Sequence, residues 1–262
     1  MRDVTQAYPR AAAVASRLVA VASTGSTNRD LVRAAAEEPD GWPHLSVLLT
    51  TDQRAGRGRL DRQWIAPAGT ALAVSVVLRM SLPPQARGWI PLLAGAAMTR
   101  AVARQAQSGG HTVGLKWPND VLVDGRKICG ILAEAVPGSD AVVVGSGVNT
   151  RMPSDALPVP TATSFADLGI GVDEDLLLAD YLAALAEQLR ALVAAGGDAS
   201  AAGLRAELEA LCLTLGRDVE VSLPDGSTLA GRAQRLDADG RLVVVAGSTE
   251  VPVAAGDVIH VR

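Results

Sequence analysis

A chain of 262 residues, 48% apolar and 20% charged, can build a full hydrophobic core, which excludes a disordered, collagenous or disulfide-scaffold class. Its 24 basic and 28 acidic side chains leave a formal charge of −4, so no general basic surface invites duplex DNA or an anionic membrane, and any anion binding must be local. The two cysteines, Cys129 and Cys212, lack metal-ligand spacing and read as free thiols of a reducing, cytoplasmic compartment, and no apolar run reaches the length of a membrane span.

The first residues are polar as far as Pro9, and residues 1–15 are expected to form a disordered tail. Leu18–Ala22 and Leu45–Thr51 predict short strands, separated by Ser26-Thr27-Asn28 opening an Ala-rich helix that ends near Pro39 and Gly41. Ala71–Arg79 predicts a buried strand, and Arg87–Gln107 a long helix ending at Gly109-Gly110. Val121–Val123 and Lys127–Val136 flank Asp124-Gly125, a strong hairpin signal, and Ala141–Gly145 adds a strand running into a glycine turn. Asp173–Leu211 is helical with a break at Gly196-Gly197-Asp198. After Gly216 come short strands at 219–223, 228–236, 242–245 and 249–253, punctuated by turn residues, which predict a small barrel.

Only two of the basic residues are lysines, Lys116 and Lys127, and asparagine occurs three times, at Asn28, Asn119 and Asn149. Coding bias explains the scarcity. It does not explain why all five fall in three short polar segments, where side-chain geometry resists substitution. Between two predicted strands, Gln53–Trp64 carries four arginines alternating with Gly56 and Gly58, placing guanidinium forks and bare backbone N–H groups on one loop. Such a loop can close over an anion; the same composition also suits a solvated turn or an Arg-Gly nucleic-acid segment. In Lys116-Trp117-Pro118-Asn119-Asp120, Pro118 forces an extended backbone that presents a cation, an amide and a carboxylate, although Asp120 is also an ordinary turn former. Ser26-Thr27-Asn28 reads as a helix cap and, with Gln53, as a donor and acceptor edge for a neutral ligand group. The three histidines share no spacing that suits zinc or a Ser-His-Asp triad.

Taken in order, Gly25–Asn28, Gln53–Trp64, Lys116–Asp120, Gly125–Leu132 with Glu134, and Gly145–Asn149 resemble the biotin protein ligase family over nearly the whole chain. The resemblance implies an α+β fold: a mixed-sheet catalytic domain like that of class II aminoacyl-tRNA synthetases over residues 1–213, then an SH3-like barrel over 214–262. It implies an ATP-dependent ligase that makes biotinyl-5′-AMP from biotin and MgATP and passes biotin to a lysine of a carboxylase carrier domain. Carried over by residue, Ser26, Thr27, Asn28, Gln53, Gly56, Arg57, Gly58, Arg59, Lys127 and Gly130 would surround biotin. Arg59, Arg62, Trp64, Lys116, Asn119, Asp120 and Asn149 would serve ATP, with Asp120 also near metal. Lys127, Arg57 and Arg59 are the expected catalytic cations. Arg262 aligns with an arginine that approaches the nucleotide, Cys129 replaces a usual alanine, and Trp64 or Trp117 would supply apolar walls. About 25 residues precede Ser26, too few for the winged helix of repressor members, so a monofunctional enzyme that does not bind DNA is expected, monomeric or weakly dimeric. A lipoate or octanoate ligase of the same architecture is the near alternative, and a nucleic-acid-binding regulator the distant one.

Overall fold

The computed structural model describes residues 7–60, 62–254 and 256–261. The first part of the chain runs α1 (Pro9–Val14), β1 (Arg17–Ala20), α2 (Thr27–Glu37), β2 (Ser46–Thr50), β3 (Gly56–Arg57), β4 (Gln63–Trp64), β5 (Ala71–Leu78) and α3 (Trp89–Gln105). It continues through β6 (Val113–Lys116), β7 (Asp120–Val123), β8 (Arg126–Ala135), β9 (Val142–Asn149), α4 (Glu174–Ala194) and α5 (Leu204–Leu211). The last part is all strand: β10 (Asp218–Ser222), β11 (Thr228–Leu236), β12 (Leu242–Ala246), β13 (Thr249–Val253) and β14 (Asp257–His260).

Seven strands form one mixed sheet in the order β1-β2-β5-β9-β8-β7-β6, with β1 and β2 parallel and the other neighbours antiparallel. Every residue of β5 is buried, because helices cover both faces of the sheet; that is why Ala71–Leu78 is apolar without alternation. On one face Leu31 and Ala35 of α2 pack against Leu48, Val77 and Val143. On the other, α3 and α4 pack against each other and bury Val47, Val76 and Val144. The Asp-Gly signal holds: Asp124 and Gly125 take φ of 50° and 77° and join β7 to β8.

In the first part of the chain two expectations change. Within the expected tail, residues 1–6 lie outside the described residues, but Pro9–Val14 is a helix packed on α4, with Tyr8 and Ala11 buried. Its amides are held from a distance, since Asp175 accepts from Arg10 N at 3.1 Å and Ala11 N at 3.0 Å. The glycine turn expected after Ala141–Gly145 is instead strand, β9 continuing to Asn149.

The C-terminal strands form an antiparallel sheet in the order β13-β12-β11-β10-β14. The expected barrel is not closed: among the described residues no pairing joins β13 to β14. Two buried tryptophans clamp this sheet to the first unit. Trp89 Nε1 donates to Ala238 O at 2.9 Å, and Trp117 Nε1 donates to Gly240 O at 3.2 Å, both on the turn between β11 and β12. Cys129 and Cys212 are buried free thiols, and among the described residues no helix is long and apolar enough to cross a membrane. Trp89→Phe and Trp117→Phe should each remove a buried donor and leave a cavity, lowering the unfolding free energy in urea by about 2–4 kcal/mol.

Candidate active site

The site is built at one end of the large sheet. Ser26 caps α2 from extended backbone, its hydroxyl accepting from Arg29 N at 3.4 Å. One residue on, the backbone N of Thr27 donates to Gln53 Oε1 at 2.9 Å, and its Oγ1 lies 3.1 Å from the same oxygen. These buried hydroxyls and the amide form a polar wall carrying both donors and acceptors.

Opposite lies a lid. β3 and β4 pair as a short hairpin, and the Trp64 indole folds inward over the sheet. A Cβ at Gly147 would sit 2.6 Å from Trp64 Cε2, so the indole can occupy this seat on β9 only over a glycine. Each lid arginine is tied to a different part of the chain. Arg57 Nη2 donates to Glu134 Oε1 and Oε2 at 2.7 and 2.8 Å. Arg59 donates to Asn119 Oδ1 at 3.1 Å and to Gly256 O at 3.4 Å, and Arg62 forms an ion pair with Asp257.

Lys127 reaches the same space through a β-bulge. The β7–β8 register pairs Leu122 with Lys127 but Val121 with Cys129, so Ile128 is extra. The bulge shifts the side-chain phase by one and brings Lys127 to the same face as Gly130 and Asp120, while Ile128 and Cys129 enter the core. Lys127 Nζ lies 2.6 Å from Asp120 Oδ1 and 5.6 Å from the Trp64 ring centroid.

The cavity so enclosed measures about 140 Å³ and is lined by four cations, Arg57, Arg59, Arg62 and Lys127, against two carboxylates, Asp120 and Asp257. It therefore favours anions. It is also smaller than the roughly 300 Å³ at which small-molecule sites begin, because the Trp64 indole occupies part of it. The Trp64 Nε1 donor is buried there without a partner among the described residues. Burial lowers the pKa of Arg59, an effect that Asp120 opposes and Arg62 reinforces. Burial likewise lowers that of Lys116, with Asp120 opposing and Lys127 and Arg62 adding to the drop. Among the described residues no group of three or more His, Cys, Asp or Glu could hold a metal, and Asp120 is engaged with Lys127.

The biotin/lipoate A/B protein ligase family profile matches residues 21–150, and the biotin protein ligase C-terminal domain profile matches residues 214–261. The biotin--[acetyl-CoA-carboxylase] ligase of Mycobacterium tuberculosis is 40% identical over 249 residues, which cover 94% of this chain and 90% of that one. The chain belongs to the biotin protein ligase family. The biotin--[acetyl-CoA-carboxylase] ligase of Paracoccus denitrificans is 35% identical over 171 residues, 62% of this chain and 68% of that one. In fold the chain matches the biotin protein ligase from Aquifex aeolicus in complex with biotin and ATP, with a TM-score of 0.74 and 22% identity over 94% of this chain and 99% of that one.

Of the residues singled out from the sequence, Ser26, Thr27, Asn28, Gln53, Arg57, Gly58, Arg59, Arg62, Trp64, Asn119, Asp120, Lys127 and Gly130 share the one cavity. Gly56, Lys116 and Asn149 do not line it. Gly56 backs the lid hairpin, a Cβ there meeting Gln53 Nε2 at 2.7 Å. Asn149 Nδ2 donates to Thr163 O at 2.9 Å, and its Oδ1 is buried without a partner among the described residues. Trp117 is not a wall of this cavity but part of the clamp on the C-terminal sheet, and Arg262 lies outside the described residues. Sequence reasoning missed Ser75, buried beneath Thr27 and Asn28, and Asp257, which no nearby motif marks.

His260 on β14 faces Thr214 Oγ1 at 3.1 Å, and burial, reinforced by Lys116 and Arg217, lowers its pKa from 6.5 to about 4. The unfolded chain takes up this proton near pH 6.5 and the folded chain only near pH 4, so the neutral ring's contribution is present above the unfolded value and is lost as pH falls through that window. Thermal unfolding between about pH 7 and pH 4 should show a smaller loss of stability in His260→Gln than in the parent chain.

Proposed function

We propose that this chain activates biotin with MgATP to biotinyl-5′-AMP, releasing pyrophosphate, and transfers the biotinyl group to one lysine of a carboxylase carrier domain in the cytoplasm. The observation that carries this reading is the convergence of Arg57, Arg59, Arg62 and Lys127 on a cavity whose other wall is Ser26, Thr27 and Gln53. Family membership supplies the reaction class; the cavity supplies the physical means. We place the boundary between the catalytic domain and the C-terminal domain at residues 213 and 214.

The ureido ring of biotin offers one carbonyl acceptor and two N–H donors, which suits the mixed polarity of that wall. In the first step a carboxylate oxygen attacks the α-phosphorus and pyrophosphate leaves, so two negative groups must approach. Lys127 and the lid arginines offset the repulsion and stabilise the charge that spreads over the phosphoryl oxygens. To bind them, Arg57, Arg62 and Lys127 exchange the carboxylates of Glu134, Asp257 and Asp120 for those of the substrates. Mg²⁺ carried on the triphosphate would neutralise phosphate charge without a resident protein cage, and Asp120 would be the carboxylate to hold it. In the second step the neutral acceptor amine attacks the acyl carbon and AMP leaves. The anhydride is water-labile, and the Trp64 hairpin is the cover that keeps it dry.

The matched family profile also embraces lipoate ligases, so the acid must be tested directly. Biotin-dependent exchange of pyrophosphate into ATP, undiminished by excess lipoate, is the expected result; exchange driven by lipoate would reassign the substrate. Lys127→Ala and Arg57→Ala should each slow adenylate formation by about tenfold or more, and normal pyrophosphate release from both would refute their roles. Hydrogen exchange of the amides from Arg54 to Trp64 should slow when biotin and ATP are added together.

A further inference from the structure

Beneath the polar wall runs a line of hydrogen bonds, buried at Ser75 and opening toward solvent at Glu134, that ends on the lid. Ser75 Oγ on β5 lies 2.8 Å from Thr27 Oγ1 and 2.6 Å from Asn28 Oδ1. Asn28 Nδ2 donates to Leu132 O at 3.1 Å and to Glu134 Oε2 at 2.8 Å. Glu134 then accepts from Arg57. An asparagine amide has two N–H donors, and both of Asn28 are used within the protein. The seat of the amide is shaped to match, since a Cβ at Gly145 on β9 would overlap Asn28 Oδ1.

From this geometry, and resting on the reading of Thr27 and Arg57 as substrate contacts, we infer that Asn28, Ser75 and Glu134 are positioning residues: a buried relay that sets the ureido-binding hydroxyl and the lid arginine relative to each other. Asn28 lines the cavity, but both N–H donors of its amide are spent on Leu132 and Glu134, so none is left for biotin. The chemistry of the relay explains why an amide is retained here in a chain with only three asparagines. It must present an acceptor to Ser75 and donors to Glu134 and a carbonyl. Aspartate, equal in shape, has no donors and would set a carboxylate against that of Glu134. Alanine would leave Ser75, which is buried, and Glu134, which is partly buried, each short of a partner.

The relay makes a prediction about how substitutions combine. Residues that act through one amide should not add: once the amide is free to turn, releasing its other end costs little more. Titration calorimetry with biotin alone, and separately with ATP alone, reads this without turnover. Ser75→Ala and Glu134→Gln should each weaken biotin binding by about tenfold, the scale of one lost buried hydrogen bond. ATP binding should stay within about twofold of the parent, because the relay ends on the biotin side. The Ser75→Ala/Glu134→Gln pair should lose no more than the worse single change, and Asn28→Asp should lose as much as Asn28→Ala. Adding Asn28→Ala to that pair should cost nothing further.

Additive losses, or parallel losses of biotin and ATP affinity, would overturn the relay in favour of a general packing role. A further loss on adding Asn28→Ala would make Asn28 a direct contact and overturn it equally. Unchanged biotin affinity in Ser75→Ala or Glu134→Gln, with the parent chain binding normally, would remove the relay and leave the proposed reaction standing. A parent chain that binds no biotin would remove both. Glu134→Gln guards against misfolding as a trivial cause, since it changes a side chain that is only partly buried and keeps an oxygen acceptor.

Discussion

The structure is organised around one electrostatic problem: keeping several cations close together in a partly desolvated space before any substrate anion arrives. Two unit charges 4 Å apart interact with about 4 kcal/mol at the effective dielectric of a protein surface, so an unpaired cluster would open the site by repulsion. Each cation is answered separately. Lys127 has Asp120, Arg57 has Glu134 and Arg62 has Asp257, while Arg59 lies against an amide oxygen and a carbonyl. Lys116 has no such carboxylate of its own among the described residues, and its lowered pKa records the strain of burial beside Lys127 and Arg62. A site neutralised in this way is stable when empty and still selects anions, because substrate carboxylates and phosphates can take over the same donors.

The answering groups come from distant parts of the chain, and this gives the C-terminal sheet a physical part in the site. Gly256 and Asp257 stand beside the lid, and they are held there by the two tryptophans that fasten the β11–β12 turn to the large sheet. The peptide N–H of Trp117 is also engaged, donating to Thr214 Oγ1 at 3.0 Å. The segment between Lys116 and Asp120 thus serves two masters. Its tryptophan anchors the second sheet, while its asparagine and aspartate face the cavity.

Much of this was legible in the sequence where the signal is local. Asp124-Gly125 announced its hairpin, the long apolar run of β5 announced a strand buried on both sides, and the clustering of rare lysines and asparagines marked segments that do converge. What stayed hidden depends on tertiary partners. A six-residue helix such as α1 is too short to be stable alone, and the carboxylate that holds its first amides is more than 160 positions away. The bulge at Ile128 leaves no composition signal, because both Ile128 and Cys129 suit a core, yet without it Lys127 would point away from Asp120. Ser75 sits in an apolar strand where a lone serine looks incidental. Its role emerges only when α2 is laid across β5. Strand β14 escaped notice because it is four residues long and begins with an aspartate whose partner lies on the lid.

The same geometry explains how the lid can be firm when closed and still cheap to move. Its hairpin contributes only two paired residues on each strand, and Arg57 and Arg62 remain more than a third exposed, so their ion pairs are partly screened and individually weak. The Trp64 indole is the opposite kind of group: large, apolar and seated on the bare backbone of Gly147. Burying it favours closure by the hydrophobic effect. A ligand acid that replaces the protein carboxylates can therefore trade partners at the lid arginines for little net cost.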